Sequence, residues 1–146
     1  IEGKNYHTFE DIISLYKIVT SHYSKEFLIV GASPEFSTDR DLLLNYIALN
    51  NLTEEEIIQD LTSINEYFFK NLKRNVLIIN NKLRSLSKEL NVKFLDKFDY
   101  TCSFKYQSCY GLNEDSKMMF YDYSHHTNDG IKHFSKIISQ INWLNF

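Results

Sequence analysis

The first part of the chain combines a helical pattern with a buried strand. Thr8 precedes Asp11 by three residues, which resembles a helix capping box, and apolar residues then recur at helical spacing to about Ser24. Residues 27–30 are a continuous apolar run that ends at Gly31, which is typical of a strand buried in a parallel sheet. A helix followed by such a strand predicts part of a βαβ repeat.

The middle of the chain is predicted to be helical. Residues 38–41 supply the start signal of a helix over residues 42–49, and Thr53 with three following glutamates starts the next helix. The helical spacing continues to about Leu90, with a break near residues 73–75.

The run of residues 76–79 has two interpretations. Its sequence, Val-Leu-Ile-Ile, also fits a short strand, but Leu83, Leu86 and Leu90 continue the same apolar stripe, so we favour a helix. Residues 91–96 then predict a second parallel strand.

The last third of the chain mixes irregular and helical patterns. Residues 100–115 are expected to be irregular, and a strand-like run over 118–121 precedes a final helix capped by Asn128 or Asp129. The apolar face of that helix consists of Ile131, Phe134, Ile137, Ile138, Ile141, Trp143 and Leu144. Parallel strands among long helices predict an α/β fold, and 146 residues fit one domain, 1–146.

Composition and charge exclude several classes of protein. Four glycines and one proline argue against disordered linkers.

The net charge is −3, and Lys70, Lys73 and Arg74 do not form a basic cluster, so nucleic-acid binding has no electrostatic support. No apolar run approaches the roughly 20 residues that span a bilayer. Residues 1–4 contain neither a Met nor a hydrophobic signal region, so we expect that the sequence starts within a longer protein.

The strongest chemical signal is the segment Asp122-Tyr123-Ser124-His125. An acid three residues before a histidine, directly after an apolar run, supplies the base half of a catalytic triad in some hydrolases. The alternative is a surface turn in which Asp122 is a local cap, and His126 is a second candidate for the base. His7, His22 and His133 fit ordinary surface or core positions. We therefore expect no metal site and no cofactor.

A nucleophile in a recognisable setting is missing. Ser33 follows the first strand, but its context is Gly-Ala-Ser-Pro-Glu, and Pro34 lacks the backbone N–H that would complete an oxyanion hole. We expect the loop of residues 31–36 to form the rim of the site, with Glu35 solvated or touching substrate. Cys102 and Cys109 are separated by six residues, a spacing that allows either a disulfide or two free thiols.

The ordered motifs resemble a known family. The order is an apolar strand with Gly-x-x-Pro, a long helical stretch, a Val-x-Phe-Leu-Asp strand, two cysteines, and Met-Phe-Tyr-Asp-x-x-His-x-Thr-x-x-Gly. It resembles the C-terminal SGNH-hydrolase-like domain fused to membrane O-acyltransferases of the bacterial and nematode acyltransferase-3 type, over roughly residues 9–138. The resemblance implies part of a flavodoxin-like, three-layer α/β/α domain with a parallel sheet.

The resemblance also implies roles for individual residues. His125 would be the general base and Asp122 would orient its imidazole, while Thr127 and Gly130 match the turn into the final helix. Cys102 and Cys109 match a disulfide that precedes the catalytic loop. The family's Gly-Asp-Ser nucleophile block does not occur here. The serine would therefore lie outside this chain, and the isolated chain would be inactive.

The implied activity is transfer of acyl groups from an acyl donor to a hydroxyl-bearing acceptor. The implied location is the membrane, through an upstream membrane-spanning domain, with this domain on the luminal or extracytoplasmic side. The sequon Asn51-Leu52-Thr53 makes Asn51 a candidate glycosylation site and agrees with that location. Two alternatives stay open: an SGNH-type esterase that uses water as the acceptor, and a non-catalytic remnant or binding module.

Overall fold

The computed structural model describes residues 9–23, 25–37 and 42–145. These residues form a mixed α/β structure with more helix than strand. Its elements are α1 (Phe9–His22), β1 (Leu28–Val30), α2 (Leu42–Asn50), α3 (Glu54–Gln59), α4 (Leu61–Lys70), α5 (Arg74–Glu89), β2 (Lys93–Leu95), α6 (Phe98–Thr101), β3 (Cys102–Ser103), β4 (Ser108–Cys109) and α7 (Asn128–Gln140). The predicted helix starts at Thr8 and at residues 38–41 lie outside the described residues.

A small parallel sheet joins the two predicted strands. β1 and β2 pair in parallel with Ile29 opposite Phe94, and the N–H of Gly31 extends the pairing by donating to the carbonyl of Leu95 at 2.8 Å. Ile29 and Leu95 are buried, and α5 packs on both strands. The prediction of two parallel strands is thus confirmed, although each strand is shorter than the predicted range and Val30, at the end of β1, is exposed.

The ambiguous run of residues 76–79 is helical. It lies in the first half of α5, where Val76 is buried while Ile78 and Ile79 are exposed. A strand buried on both faces would cover all of these side chains. The buried positions are instead Val76 and Asn80, four residues apart, which is the spacing of one face of a helix. The expected break is also present, because Lys73 adopts an extended backbone before α5 begins.

The main hydrophobic core lies among α2, α4, α7 and the segment that precedes α7. Ile64, Phe68, Leu112, Met119 and Phe134 are almost fully buried there. This core fixes the position of the segment that carries the Asp-x-x-His motif.

Residues 102–109, which were expected to be irregular, form a hairpin. β3 and β4 pair antiparallel with Cys102 opposite Cys109, and the two cysteines form a disulfide. The prediction of an irregular segment was therefore wrong here. Strands of two residues are too short to show an alternating pattern of apolar and polar positions. The disulfide implied by the family resemblance is present, and Cys109 is completely buried.

Candidate active site

The Asp-x-x-His motif lies in a loop whose two ends are held together by backbone hydrogen bonds. The N–H of Tyr121 donates to the carbonyl of His125 at 3.0 Å, and the N–H of Thr127 donates to the carbonyl of Met119 at 3.0 Å. An isolated bridge between Phe120 and His126 lies between them. The loop therefore projects from the buried core, and its two ends are paired with each other where it leaves the core.

Asp122 is both a turn former and the partner of the imidazole. Its Oδ1 accepts from the backbone N–H groups of Ser124 and His125, each at 2.8 Å, and its Oδ2 accepts from His125 Nδ1 at 2.7 Å. Burial raises the pKa of Asp122, but the two N–H groups and the imidazole outweigh it, so the pKa lies below its ordinary value. The carboxylate is ionised at neutral pH and fixes the orientation of the ring.

His125 faces outward from this loop. Its side chain is 59 % exposed, and the ring of Tyr121 stacks on it at 5.6 Å. Because Nδ1 is directed at Asp122, Nε2 is the nitrogen left to exchange protons. In the described part of the chain, no serine or cysteine donates a hydrogen bond to that nitrogen. This geometry matches the arrangement that a histidine base and its orienting acid have in a catalytic triad.

His126, the alternative base, faces the core. Its Nε2 is buried without a hydrogen-bond partner, and its ring lies 4.9 Å from that of Phe120 and 4.7 Å from that of Phe134. Burial lowers the pKa of His126, and the charges of Lys97 and His125 lower it further. The Asp122 carboxylate bonds to His125, so the geometry favours His125.

Two of the remaining histidines have contacts away from the Asp122 loop. His133 packs against the rings of Tyr110 and Phe134, and His22 lies on the exposed α1 beside Ser21. His7 lies outside the described residues.

Thr127 and Gly130 explain how the loop turns into α7. The Thr127 hydroxyl accepts from the N–H of Gly130 at 2.9 Å and donates to the carbonyl of Met118. Thr127 is therefore the cap, and the prediction of Asn128 or Asp129 was wrong. A cap needs a non-helical backbone, which Thr127 has, whereas Asn128 and Asp129 are already helical.

The loop after β1 borders the Asp122 loop. The N–H of Phe36 donates to the carbonyl of Tyr123 at 2.9 Å. Glu35 does not project freely into solvent, because its carboxylate pairs with Lys73 at 3.2 Å and the Lys73 ammonium lies 4.8 Å from the centre of the Tyr123 ring. The candidate base is thus near the carboxyl end of a parallel strand, where ligands commonly bind in open α/β sheets.

A buried polar network beneath this edge was not foreseen from the sequence. Asn80 of α5 accepts from the N–H of Ala32 at 2.7 Å and donates both to the carbonyl of Ala32 and to Asp96 Oδ1, each at 3.2 Å. Asp96 also accepts from the N–H of Phe98 at 3.0 Å and pairs with Arg84. The network ties the ends of both strands to one helix. The sequence signal that could have indicated this network is Asp96, an acid directly after a predicted buried strand.

Two further candidates have defined positions. The Ser33 hydroxyl accepts a hydrogen bond from Lys97 Nζ at 3.2 Å, and no bond joins it to His125. Asn51 is exposed in the turn after α2, with a left-handed backbone (φ 52°). That position is accessible, and its glycosylation remains a prediction.

No described helix is both long and apolar enough to cross a membrane. Comparison of the chain with family models, with curated proteins and with solved structures found no match.

Proposed function

We propose that this chain is the C-terminal part of a three-layer SGNH domain of an O-acyltransferase. Asp122 and His125 supply two members of a Ser-His-Asp triad whose serine lies outside the chain. The observation that carries the proposal is the 2.7 Å bond between Asp122 Oδ2 and His125 Nδ1, which leaves Nε2 directed away from the carboxylate. Such a pair is what a serine nucleophile requires as its base.

The two chemical steps follow from this geometry. His125 Nε2 removes the proton of the serine hydroxyl as the serine oxygen attacks the carbonyl carbon of the acyl donor, and returns that proton to the leaving group. Next, Nε2 removes the proton of the acceptor hydroxyl, whose oxygen attacks the acyl-serine. The products are an acyl ester and the free serine, whose oxygen recovers the proton. Asp122 stabilises the imidazolium that exists between these transfers.

Water in place of the acceptor hydroxyl would make the same site an esterase. The triad chemistry is identical in both cases, so access of the acceptor decides the outcome. The disulfide and the accessible Asn51 support an oxidising, luminal compartment for this domain. We propose that a membrane-spanning domain upstream presents the acyl donor.

The test uses the native protein, detected with an antibody to α7. Its intact mass is measured in membrane and soluble fractions, and a fluorophosphonate probe labels any activated serine. We expect a membrane-bound species well above 17.4 kDa. Its labelling should fall at least 100-fold in His125→Ala, since general-base catalysis contributes roughly that much or more. Labelling should persist in the control His22→Ala, which alters an exposed histidine on α1.

The opposite result is equally clear. A soluble species near 17.4 kDa that takes up no probe would overturn the enzymatic proposal in favour of a binding module or remnant. A large species whose labelling survives His125→Ala would keep the fused architecture but remove His125 from its chemistry.

A further inference from the structure

Lys97 is a half-buried cation without an anionic partner. It follows β2 and Asp96 directly, and its Nζ donates to the Ser33 hydroxyl at 3.2 Å. Within residues 9–23, 25–37 and 42–145, no carboxylate lies within ion-pair distance of it. An ammonium carries three N–H donors, so two of them have no partner among the described residues.

The neighbouring carboxylates are already engaged. Asp96 pairs with Arg84, Glu35 pairs with Lys73, and Asp122 bonds to His125. Lys97 therefore contributes a positive charge that this edge of the sheet does not neutralise. A partly desolvated cation of this kind favours an external anion, because pairing recovers part of the lost solvation.

The two side chains are held on fixed backbone. Ala32, directly before Ser33, is held through its N–H and its carbonyl by Asn80. The carbonyl of Lys97 accepts from the Thr101 hydroxyl at 2.7 Å. The backbone at both positions is thus fixed before any ligand arrives, which reduces the entropy lost on binding.

This pair lies beside the candidate active site. The charge of Lys97 acts on His126, the residue after His125. The loop that carries Ser33 is bonded through Phe36 to the carbonyl of Tyr123. An anion bound between Ser33 and Lys97 would therefore lie along the edge of the sheet that also holds the Asp122 loop.

We propose that Ser33 and Lys97 form a binding subsite for a carboxylate group. One carboxylate oxygen accepts from the Lys97 ammonium, and the other accepts from the Ser33 hydroxyl, which turns from acceptor to donor. The single unpaired positive charge matches a monoanion better than a phosphate dianion. The subsite goes beyond the proposed acyl transfer and does not depend on the role of His125.

The experiment measures how acetate protects Lys97 from a water-soluble acylating reagent in the full-length native protein. Acetate replaces chloride at constant ionic strength, and mass spectrometry follows the modification of Lys97 and of Lys88, an exposed lysine in α5. We expect saturable protection of Lys97 by acetate and no protection of Lys88.

Two variants make the test specific. Ser33→Ala should raise the half-protecting acetate concentration about five-fold, since one hydrogen bond is worth about 1 kcal/mol. Ser37→Ala, on the same loop and bonded instead to Asn71, should leave it unchanged. Equal protection of Lys97 and Lys88, or an unchanged response in Ser33→Ala, would show an adventitious ion only. Stronger protection by inorganic phosphate than by acetate would overturn the assignment to a carboxylate.

Discussion

Gly130 packs directly against the carbonyl oxygen of Met119. A Cβ atom built on Gly130 would lie 2.1 Å from that oxygen, a separation that real Cβ atoms do not tolerate. The contact places the first turn of α7 against the strand-like segment before the Asp122 loop. The position of this glycine therefore sets the distance between the helix and the candidate site.

Replacing Gly130 with alanine should destabilise the protein strongly. In an ordinary helix interior this change is favourable by about 1 kcal/mol, but here the new methyl group must displace backbone. We expect a loss of about 3 kcal/mol or more in the free energy of unfolding, measured by urea denaturation. The control is Ser135→Ala on the exposed face of α7, which should change it by less than about 0.5 kcal/mol. An unchanged Gly130→Ala protein would contradict the close contact.

Asn80 should be intolerant of truncation. Asn80→Ala would leave the N–H and carbonyl of Ala32 and one oxygen of Asp96 without their buried partner. Each such loss costs about 1–3 kcal/mol, so we expect about 3 kcal/mol or more in total. The matched control is Asn81→Ala, because Asn81 is the next residue of α5 and is exposed. Similar urea midpoints for the two variants would argue against the network.

Reduction of the disulfide should lower stability modestly. The bond joins cysteines seven positions apart, and closing so short a loop stabilises the fold by about 2 kcal/mol in the chain-entropy treatment. Thermal melts with and without a reductant measure the difference. The double variant Cys102→Ala/Cys109→Ala should melt lower and should no longer respond to reductant. A native protein that is equally insensitive to reductant would mean that the thiols are not bridged.

Stability should fall in mild acid because of His126. Its pKa is lowered by burial, so below a pH of about 6.5 the unfolded chain takes up a proton there that the native state does not. The free energy of unfolding therefore decreases as the pH falls from about 6.5 towards the lowered pKa. His126→Phe keeps a ring between Phe120 and Phe134 and should flatten this slope. Urea titrations between pH 7 and 5 compare the two proteins, and identical slopes would refute the assignment.

Asp122 affects stability over a separate and more acidic range of pH. Its pKa is lowered, so its contribution to stability is complete above about pH 4 and is lost as the pH falls through the lowered value. Carbon-detected NMR of the Asp122 carboxyl should show a midpoint below that of an unstructured aspartate. In His125→Ala this midpoint should rise, because one of the groups that lower it is removed. A midpoint that stays unchanged would mean that the imidazole bond contributes nothing.

The sequence predicted the elements with long, regular patterns. The apolar run before Gly31 and the strand predicted over residues 91–96 correspond to the two parallel strands, and the leucine stripe ending at Leu90 correctly assigned residues 76–79 to a helix. The helical stripe is a strong signal because burial of one face repeats along the 16 residues of α5.

Features that depend on single side chains were not predictable in the same way. Asn80 and Asn65 are polar residues inside amphipathic helices, where a pattern of apolar positions assigns them to the surface. Both are buried, because each bonds to backbone distant in sequence, as Asn65 does to Gly111 at 2.8 Å. The helix cap at Thr127 was misassigned for a similar reason, since neighbouring residues offer the same capping groups.

The link made by Asn80 has an evolutionary consequence. One carboxamide satisfies the backbone after β1 and the acid after β2 at the same time, so neither position can change freely without the other. In relatives of this chain we expect the residues aligned with Asn80 and Asp96 to covary as a pair.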